Sequence, residues 1–455
     1  MSLLETVNKF LWGLPGLLLL LCFGLYVCIK CRFPQIVLFP KACMHFLRQF
    51  RGKKESNGVS GYQALCTALA ATVGTGNIIG VAGAIIIGGP GTIFWMWVFG
   101  FLGMGIKFVE VTLAVRFRCK NEDNTFIGGP MHIIRNGLHK RWHWLATAYC
   151  IFGVAASFGV GNAAQVNAVV TGTEFVLHFF GQEITSGSHV IIGMILSMTV
   201  GAVLLGGAKR IGNVAEKLVP FAALSYILLC LLVLSIRLSQ IPQAFYAIIY
   251  GAFSPRSVTG GALGSTFLAI RIGASRGTFT NEAGMGTASI AHASANAEPV
   301  KQGLMGIMEV FIDTILICTL TALAILCSGI MIPYGTDVGG ILTLDAFSYV
   351  VGNWIRIPLA VTVICFAIAT IFGWSLYGIR CFQFLFGNGS WKVFAVLQSA
   401  VVFLAAMVNM RTAWMFSEIM NALMLIPNLL ALFVLLPAVS QEIHKEDADK
   451  IRVRV

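Results

Sequence analysis

The sequence predicts an all-α polytopic membrane protein of about eleven transmembrane helices, one extra helix followed by ten in two five-helix halves. Three observations predict it. Of 455 residues, 57% are hydrophobic and only 11% charged, whereas a soluble domain carries about 25% charged residues. Apolar runs long enough to span a bilayer recur along the whole chain. Two of them are interrupted at mid-depth by glycine-polar clusters, at matching places in the two halves, the pattern of an inverted repeat with a midplane site.

Helices are expected near 10–29, 62–88, 91–117, 144–178, 188–206, 212–236, 261–297 (broken), 302–330, 356–386, 391–409 and 412–438. The first run, Phe10 to Ile29, has no charge and is followed by Lys30, Arg32, Lys41, Arg48 and Arg51, a stop-transfer pattern. A cleaved signal peptide is disfavoured: Lys9 alone precedes the run, and no small-x-small cleavage site follows. Residues 1–60 thus form a first helix and a basic cytoplasmic linker. Residues 61–440 form the ten-helix core, with halves at about 62–237 and 258–438, and 441–455 form a charged cytoplasmic tail.

The net charge of +12 is an orientation signal. With the N-terminus outside and the C-terminus in the cytoplasm, 23 of the 31 basic residues fall on inner segments and 5 on outer ones, as the positive-inside rule requires. That distribution argues against nucleic acid as a partner; the partner it implies is the lipid bilayer. Cysteines sit mostly inside apolar runs, where they act as small hydrophobes. Cys28-x-x-Cys31 is the sole CxxC and has no second pair, so a zinc or redox site is not expected.

The chemistry concentrates at the interruptions. Gly74-Thr75-Gly76-Asn77 breaks the second helix. Unpaired N–H groups there suit a carboxylate, and the carbonyls of Ala70 and Val73 face a partly negative half-helix end that suits a cation. Asn77 offers a further oxygen. Packing through Gly76-x-x-x-Gly80 would explain the glycines but not the polar cluster. The second break, Gly273 to Gly286, supplies Thr280, Asn281 and Glu282. Asn281 both donates and accepts, which fits substrate contact. Glu282 either ligates a cation, holds the unwound segment, or pairs with Arg276 or Arg271.

Asn162 and Gln165 stand three apart in the fourth helix, and Thr370 and Trp374 four apart in the ninth. A hydroxyl such as that of Thr370, with nearby carbonyls, makes an oxygen site for sodium, and an indole walls an apolar pocket. Lys107 and Glu110, three apart, are expected to pair. Glu309, Asp313 and Glu418 are the remaining intramembrane acids, either proton relays or groups satisfied by neighbours. No Ser-His-Asp or His-Glu-x-x-His arrangement appears at membrane depth, so the chain does not read as an enzyme. A channel is disfavoured because no charged or carbonyl-repeat filter is present.

The segment ALCTALAATVGTGNIIGVAGAIIIGGPGTIFWMW resembles the alanine/glycine:cation symporter family, the bacterial sodium:alanine symporters. RGTFTNEAGMG, TIFGWSLYG and GNAAQVN resemble that family's later and fourth-helix motifs, so the likeness runs from about Gly61 to the last helix. It implies a LeuT-like 5+5 fold with one extra N-terminal helix, in a bacterial cytoplasmic (inner) membrane. It further implies import of alanine or glycine with sodium as coupling ion and no other cofactor; proton-coupled symport of a small amino acid is the alternative. Carried over by motif, backbone groups at Gly74, Thr75 and Gly76, with Asn77, would hold the carboxylate. Gln165 and Asn281 would contact the zwitterion, and Thr370 and Trp374 would border the pocket. Ala70, Val73, Ala367 and Thr370 would form the sodium site. Thr280 and Leu376 depart from the family pattern, which usually has Ser and often Tyr there.

Overall fold

The computed structural model describes residues 3–51, 58–121, 124–182, 186–255, 259, 265–336, 339–407 and 410–452. Lys53, Lys54, Arg256, Arg454 and positions 261–264 of the predicted broken helix lie outside them. The extra N-terminal unit is a short helix α1 (Leu3–Leu11) and an apolar helix α2 (Leu14–Lys30), followed by an amphipathic helix α3 (Phe39–Arg51). The core opens with α4 (Gly61–Thr72), a 3-10 turn at Thr75–Asn77, and α5 (Ile79–Gly88). The Ser60 hydroxyl caps α4 by accepting from the Gln63 N–H at 3.1 Å. Next come α6 (Gly91–Arg116), a two-residue hairpin of β1 (Cys119–Lys120) and β2 (Phe126–Ile127), and α7 (Pro130–Gly137).

The third core span is α8 (Trp144–Phe158) and α9 (Ala164–Phe179), joined by a π turn at Gly159–Ala163. α10 (Ser186–Leu204), α11 (Gly207–Ile236) and α12 (Ile241–Phe253) follow. The second half starts with α13 (Thr266–Asn281) and α14 (Thr287–His292), the second broken pair. Then α15 (Pro299–Val310) runs through a π segment, Phe311–Cys318, into α16 (Thr319–Cys327). The chain ends with α17 (Gly339–Val351), α18 (Arg356–Phe386), α19 (Trp391–Ala405) and α20 (Met410–Arg452).

Among the described residues eight helices are long and apolar enough to cross a membrane, nine with α4 and α5 taken as one span bent by 60°. The about eleven expected from the sequence also include α2, of 17 residues, and the broken pair α13–α14, whose pieces have 16 and 6. Length and hydropathy alone do not reach that count, because unwinding shortens α13 and α14. Stretches that lie between the predicted spans are also helical, α3 and α7 among them. Residues 331–355, taken as an outer loop, contain α17, whose apolar face packs on α5. α12 buries Ala244, Ile248 and Ala252 against α6.

α6 packs along α15 and α13, and α18 packs against α8, α9, α11 and α4. The two broken helices therefore lie between these neighbours. Close backbone approach brings α18 against α4. A methyl on Gly373 of α18 would sit 2.7 Å from the Ala71 nitrogen of α4.

Candidate functional site

At the first break the sequence gives the chain no way to continue the helix. Val73 is extended, with ψ of 96°, and Gly74 follows at φ −144° and ψ −154°. The Gly74 N–H, which a continuous helix would offer to the Ala70 carbonyl, donates instead to Asn77 Oδ1 at 2.9 Å. The Asn77 N–H goes to the Gly74 carbonyl at 3.3 Å, not to Val73. Both Ala70 and Val73 carbonyls thus lose their helical donors. The Thr75 and Gly76 N–H groups have no backbone acceptor among the described residues. Two donors and two acceptors are exposed to one spot, at the junction of two half-helix ends.

The second break is wound apart by three alternate left-handed residues, Glu282 (φ 55°), Gly284 (φ 90°) and Gly286 (φ 76°). Glycine takes this geometry at no steric cost, whereas Glu282 does not. Thr287 Oγ1 donates to the Glu282 carboxylate, which holds that residue within the unwound loop. Glu282 is a structural support of the break. Arg276, one of its expected partners, pairs with Glu418 at 3.0 Å.

A hydrogen-bonded chain joins the two breaks. Asn77 Nδ2 donates to Asp313 Oδ1 at 2.6 Å, and Thr314 Oγ1 donates to Asp313 Oδ2 at 2.7 Å. Asn281 Nδ2 donates to Thr314 Oγ1 at 3.1 Å, while the Ala283 N–H donates to Asn281 Oδ1 at 2.9 Å. Asp313 and Thr314 sit in the π segment, where one extra residue per turn turns adjacent side chains inward. All four side chains are buried. The expected further oxygen of Asn77 is thus engaged with the Gly74 N–H. The expected contact groups of Asn281 are likewise in use, one toward Thr314 and one toward the backbone of its own break.

The remaining walls come from α9 and α18. Thr75 Oγ1 donates to Gln165 Oε1 at 3.1 Å, fastening the first break to α9. A methyl on Gly74 would lie 2.6 Å from Thr370 Oγ1, which places that hydroxyl directly against the break. Thr370 Oγ1 is buried and has no hydrogen-bond partner among the described residues. Ala367, one turn earlier on α18, is also buried. The Ala70 and Val73 carbonyls, having lost their helical donors, and the Thr370 hydroxyl are thus the oxygens without their usual partners on these two packed segments, α4 and α18. Trp374, one turn further, is fully buried, and its indole N–H makes no hydrogen bond of normal geometry. Gly161 abuts it: a methyl there would lie 2.4 Å from Trp374 Cβ. Asn162 does not share the face of Gln165. The intervening π turn rotates it, and its amide donates to the Gln398 carbonyl at 3.4 Å.

Beneath the second break lies a support that the sequence did not reveal. Glu110 Oε1 accepts from the Gly286 N–H at 3.1 Å and from Asn428 Nδ2 at 2.7 Å. Asn428 also donates to the Gly284 carbonyl, and the Tyr149 hydroxyl donates to that of Met285 at 3.0 Å. Lys107 does not pair with Glu110. Its ammonium lies 3.3 Å from Glu309 Oε1 on α15, because the break has recruited Glu110. Among these groups only the acids inside apolar runs carried a sequence signal.

A cavity of about 790 Å3 reaches in from the side carrying Lys120, Lys209 and Arg380, and it is lined inward by Thr67 of α4 and Leu376 of α18. On the opposite side Arg276 of α13 is bound to Glu418 of α20. Asn8 and Trp12 of the N-terminal unit donate to the Glu418 carboxylate at 2.6 Å and to its carbonyl at 2.9 Å.

Comparison with known proteins agrees with this construction. The chain matches the description of the sodium:alanine symporter family over residues 1–451. It is 38% identical over 448 residues to the sodium/alanine symporter AgcS of Methanococcus maripaludis, covering 97% of this chain and 96% of that one. It is 39% identical over 445 residues to an uncharacterized transporter of Haemophilus influenzae, covering 97% and 95%. The fold is similar to that of MhsT, solved in complex with L-phenylalanine, with a TM-score of 0.60 at 15% identity over 84% of this chain and 90% of that one. MhsT is a LeuT-fold transporter, and the chain shares that fold. The chain belongs to the sodium:alanine symporter family.

Proposed function

We propose that the protein imports alanine or glycine together with sodium, by alternating access across a bacterial cytoplasmic membrane with the N-terminus outside. The observation that carries this reading is the pairing of unsatisfied N–H groups at Thr75 and Gly76 with the unpartnered hydroxyl of Thr370, on either side of one unwound strand. The N–H pair receives the carboxylate of the amino acid, and sodium sits among Thr370 Oγ1 and the Ala70 and Val73 carbonyls. Cation and carboxylate then flank the same strand, so each favours the other's binding. Gln165, fastened to Thr75, orients the zwitterion, Asn281 braces the second break beside it, and Trp374 limits its side chain.

Because the amino acid carries no net charge, each sodium moves one positive charge inward, worth about 2.3 kcal/mol per 100 mV of membrane potential. An inside-negative potential therefore accelerates uptake in proteoliposomes. Replacing sodium by choline at fixed pH abolishes it. Uptake unaffected by choline replacement but driven by an acid-outside gradient refutes sodium coupling in favour of protons.

Two further outcomes are expected. Gly161→Ala forces Trp374 to move, since its methyl would lie 2.4 Å from Trp374 Cβ; apparent alanine affinity falls roughly tenfold while membrane insertion is unchanged. Competition between alanine and larger neutral amino acids measures it. Glu418→Gln weakens the Arg276 pair that ties α13 to α20 on the outer side. The population open to the outside rises, read as faster labelling of a cysteine introduced at Ser275 by an impermeant thiol reagent.

A further inference from the structure

A buried charge cluster stands behind the second break, and neither the substrate nor the sodium site described above uses it. Lys107 and Glu110 come to it from α6, Glu282 and His292 from the broken pair, and Glu309 from α15. Each is shielded from solvent. Glu309 takes the Lys107 ammonium at 3.3 Å on one oxygen and His292 Nε2 at 2.9 Å on the other. His292 Nδ1 in turn meets Gln302 Nε2 at 2.7 Å, and Gln302 reaches the Gly61 carbonyl at the start of α4. Glu110 and Glu282 are the next charged neighbours of Lys107. Asp313, beyond Glu309 on the same span, is taken up by Asn77 and Thr314.

One ammonium at membrane depth thus meets the Glu309 carboxylate directly, with those of Glu110 and Glu282 as its next charged neighbours. Leaving a buried anion uncompensated is costly, and breaking a buried pair leaves one behind. The same carboxylate oxygens are the ligand type that a hard cation selects. We propose that Lys107 is a tethered cation that occupies a latent sodium site and so limits how many sodium ions the carrier takes up per cycle. Removing its charge hands the vacated position among Glu309, Glu110 and Glu282 to an ion from solution. The inference rests on the sodium-coupled reading above.

Alanine uptake is measured in proteoliposomes against sodium concentration for the wild type, Lys107→Ala, Lys107→Arg and Lys107→Ala/Glu309→Gln. In Lys107→Ala the sodium activation curve steepens and its midpoint rises about tenfold. Lys107→Arg, and the double variant that removes both charges, keep the wild-type steepness. A Lys107→Ala curve of wild-type steepness, with only a lower maximum, overturns the proposal and assigns Lys107 a packing role. Where Lys107→Ala yields too little protein, thermal unfolding of detergent-purified Lys107→Gln is followed in sodium and in choline, without amino acid. A larger sodium-dependent rise in Tm than in the wild type supports the proposal, and an equal rise overturns it. Sodium-independent uptake by the wild type would instead overturn the reading on which it rests.

Discussion

Thr370→Val abolishes sodium stimulation of alanine uptake at sodium concentrations that half-saturate the wild type, while the protein still folds and inserts. Valine keeps the shape of threonine and removes only the hydroxyl. That hydroxyl has no hydrogen-bond partner among the described residues, so no other contact is lost with it. It stands against Gly74, where the α4 carbonyls of Ala70 and Val73 have been released from their helical donors. An interaction between a charged group and a polar partner is worth about 1.5–3 kcal/mol. Half-saturating sodium should therefore rise by roughly one to two orders of magnitude. Uptake against sodium concentration, with melting temperature as the control for folding, measures it. Unchanged sodium dependence in this variant would remove Thr370 from the cation site.

The second large effect belongs to Asp313. Its two oxygens accept from Asn77 and Thr314, and through them connect Gly74 at one break to Asn281 at the other. Asp313→Ala leaves the Asn77 amide and the Thr314 hydroxyl short of a buried partner, at about 1–3 kcal/mol for each. Uptake falls by at least about a hundredfold, on the scale of a few kcal/mol. Asp313→Asn separates connection from charge. Its carbonyl still accepts from Asn77, while its amide faces a hydroxyl free to turn and accept. If the role is connection, Asp313→Asn retains most of the uptake that Asp313→Ala loses. If the carboxylate charge itself is required, both variants fail alike. Initial rates at saturating sodium and alanine distinguish the outcomes.

Much of the site was legible before any coordinates, because the bilayer makes certain residues conspicuous. A glycine-polar cluster inside an apolar run cannot face lipid. That argument located the first break at Gly74–Asn77 and the second within Gly273–Gly286, where only Glu282–Gly286 is unwound and Gly273 to Asn281 remain helical. The four-residue spacing of Thr370 and Trp374 put them on one face of α18. Spacing failed where the helix departs from its ordinary period. The π turn at Gly159–Ala163 separates Asn162 from Gln165, and the π segment at Phe311–Cys318 turns Asp313 and Thr314 together toward the breaks. Sequence proximity also misassigned Lys107, which neighbours Glu110 along α6 but meets Glu309 across the helix interface. Partners chosen across a tertiary interface leave no mark in the spacing along one helix. α17 escaped for a different reason: a largely apolar stretch of thirteen residues after a loop is too short to read as a span, yet enough to cap α5.

The most direct test is binding of alanine to the purified protein by calorimetry, in sodium and in choline, beside alaninamide, which lacks the carboxylate. If the released backbone groups of the first break hold a carboxylate next to a bound cation, alanine binds in sodium only, and alaninamide binds in neither solution. Equal binding of alanine in choline, or binding of alaninamide as tight as that of alanine, would contradict it.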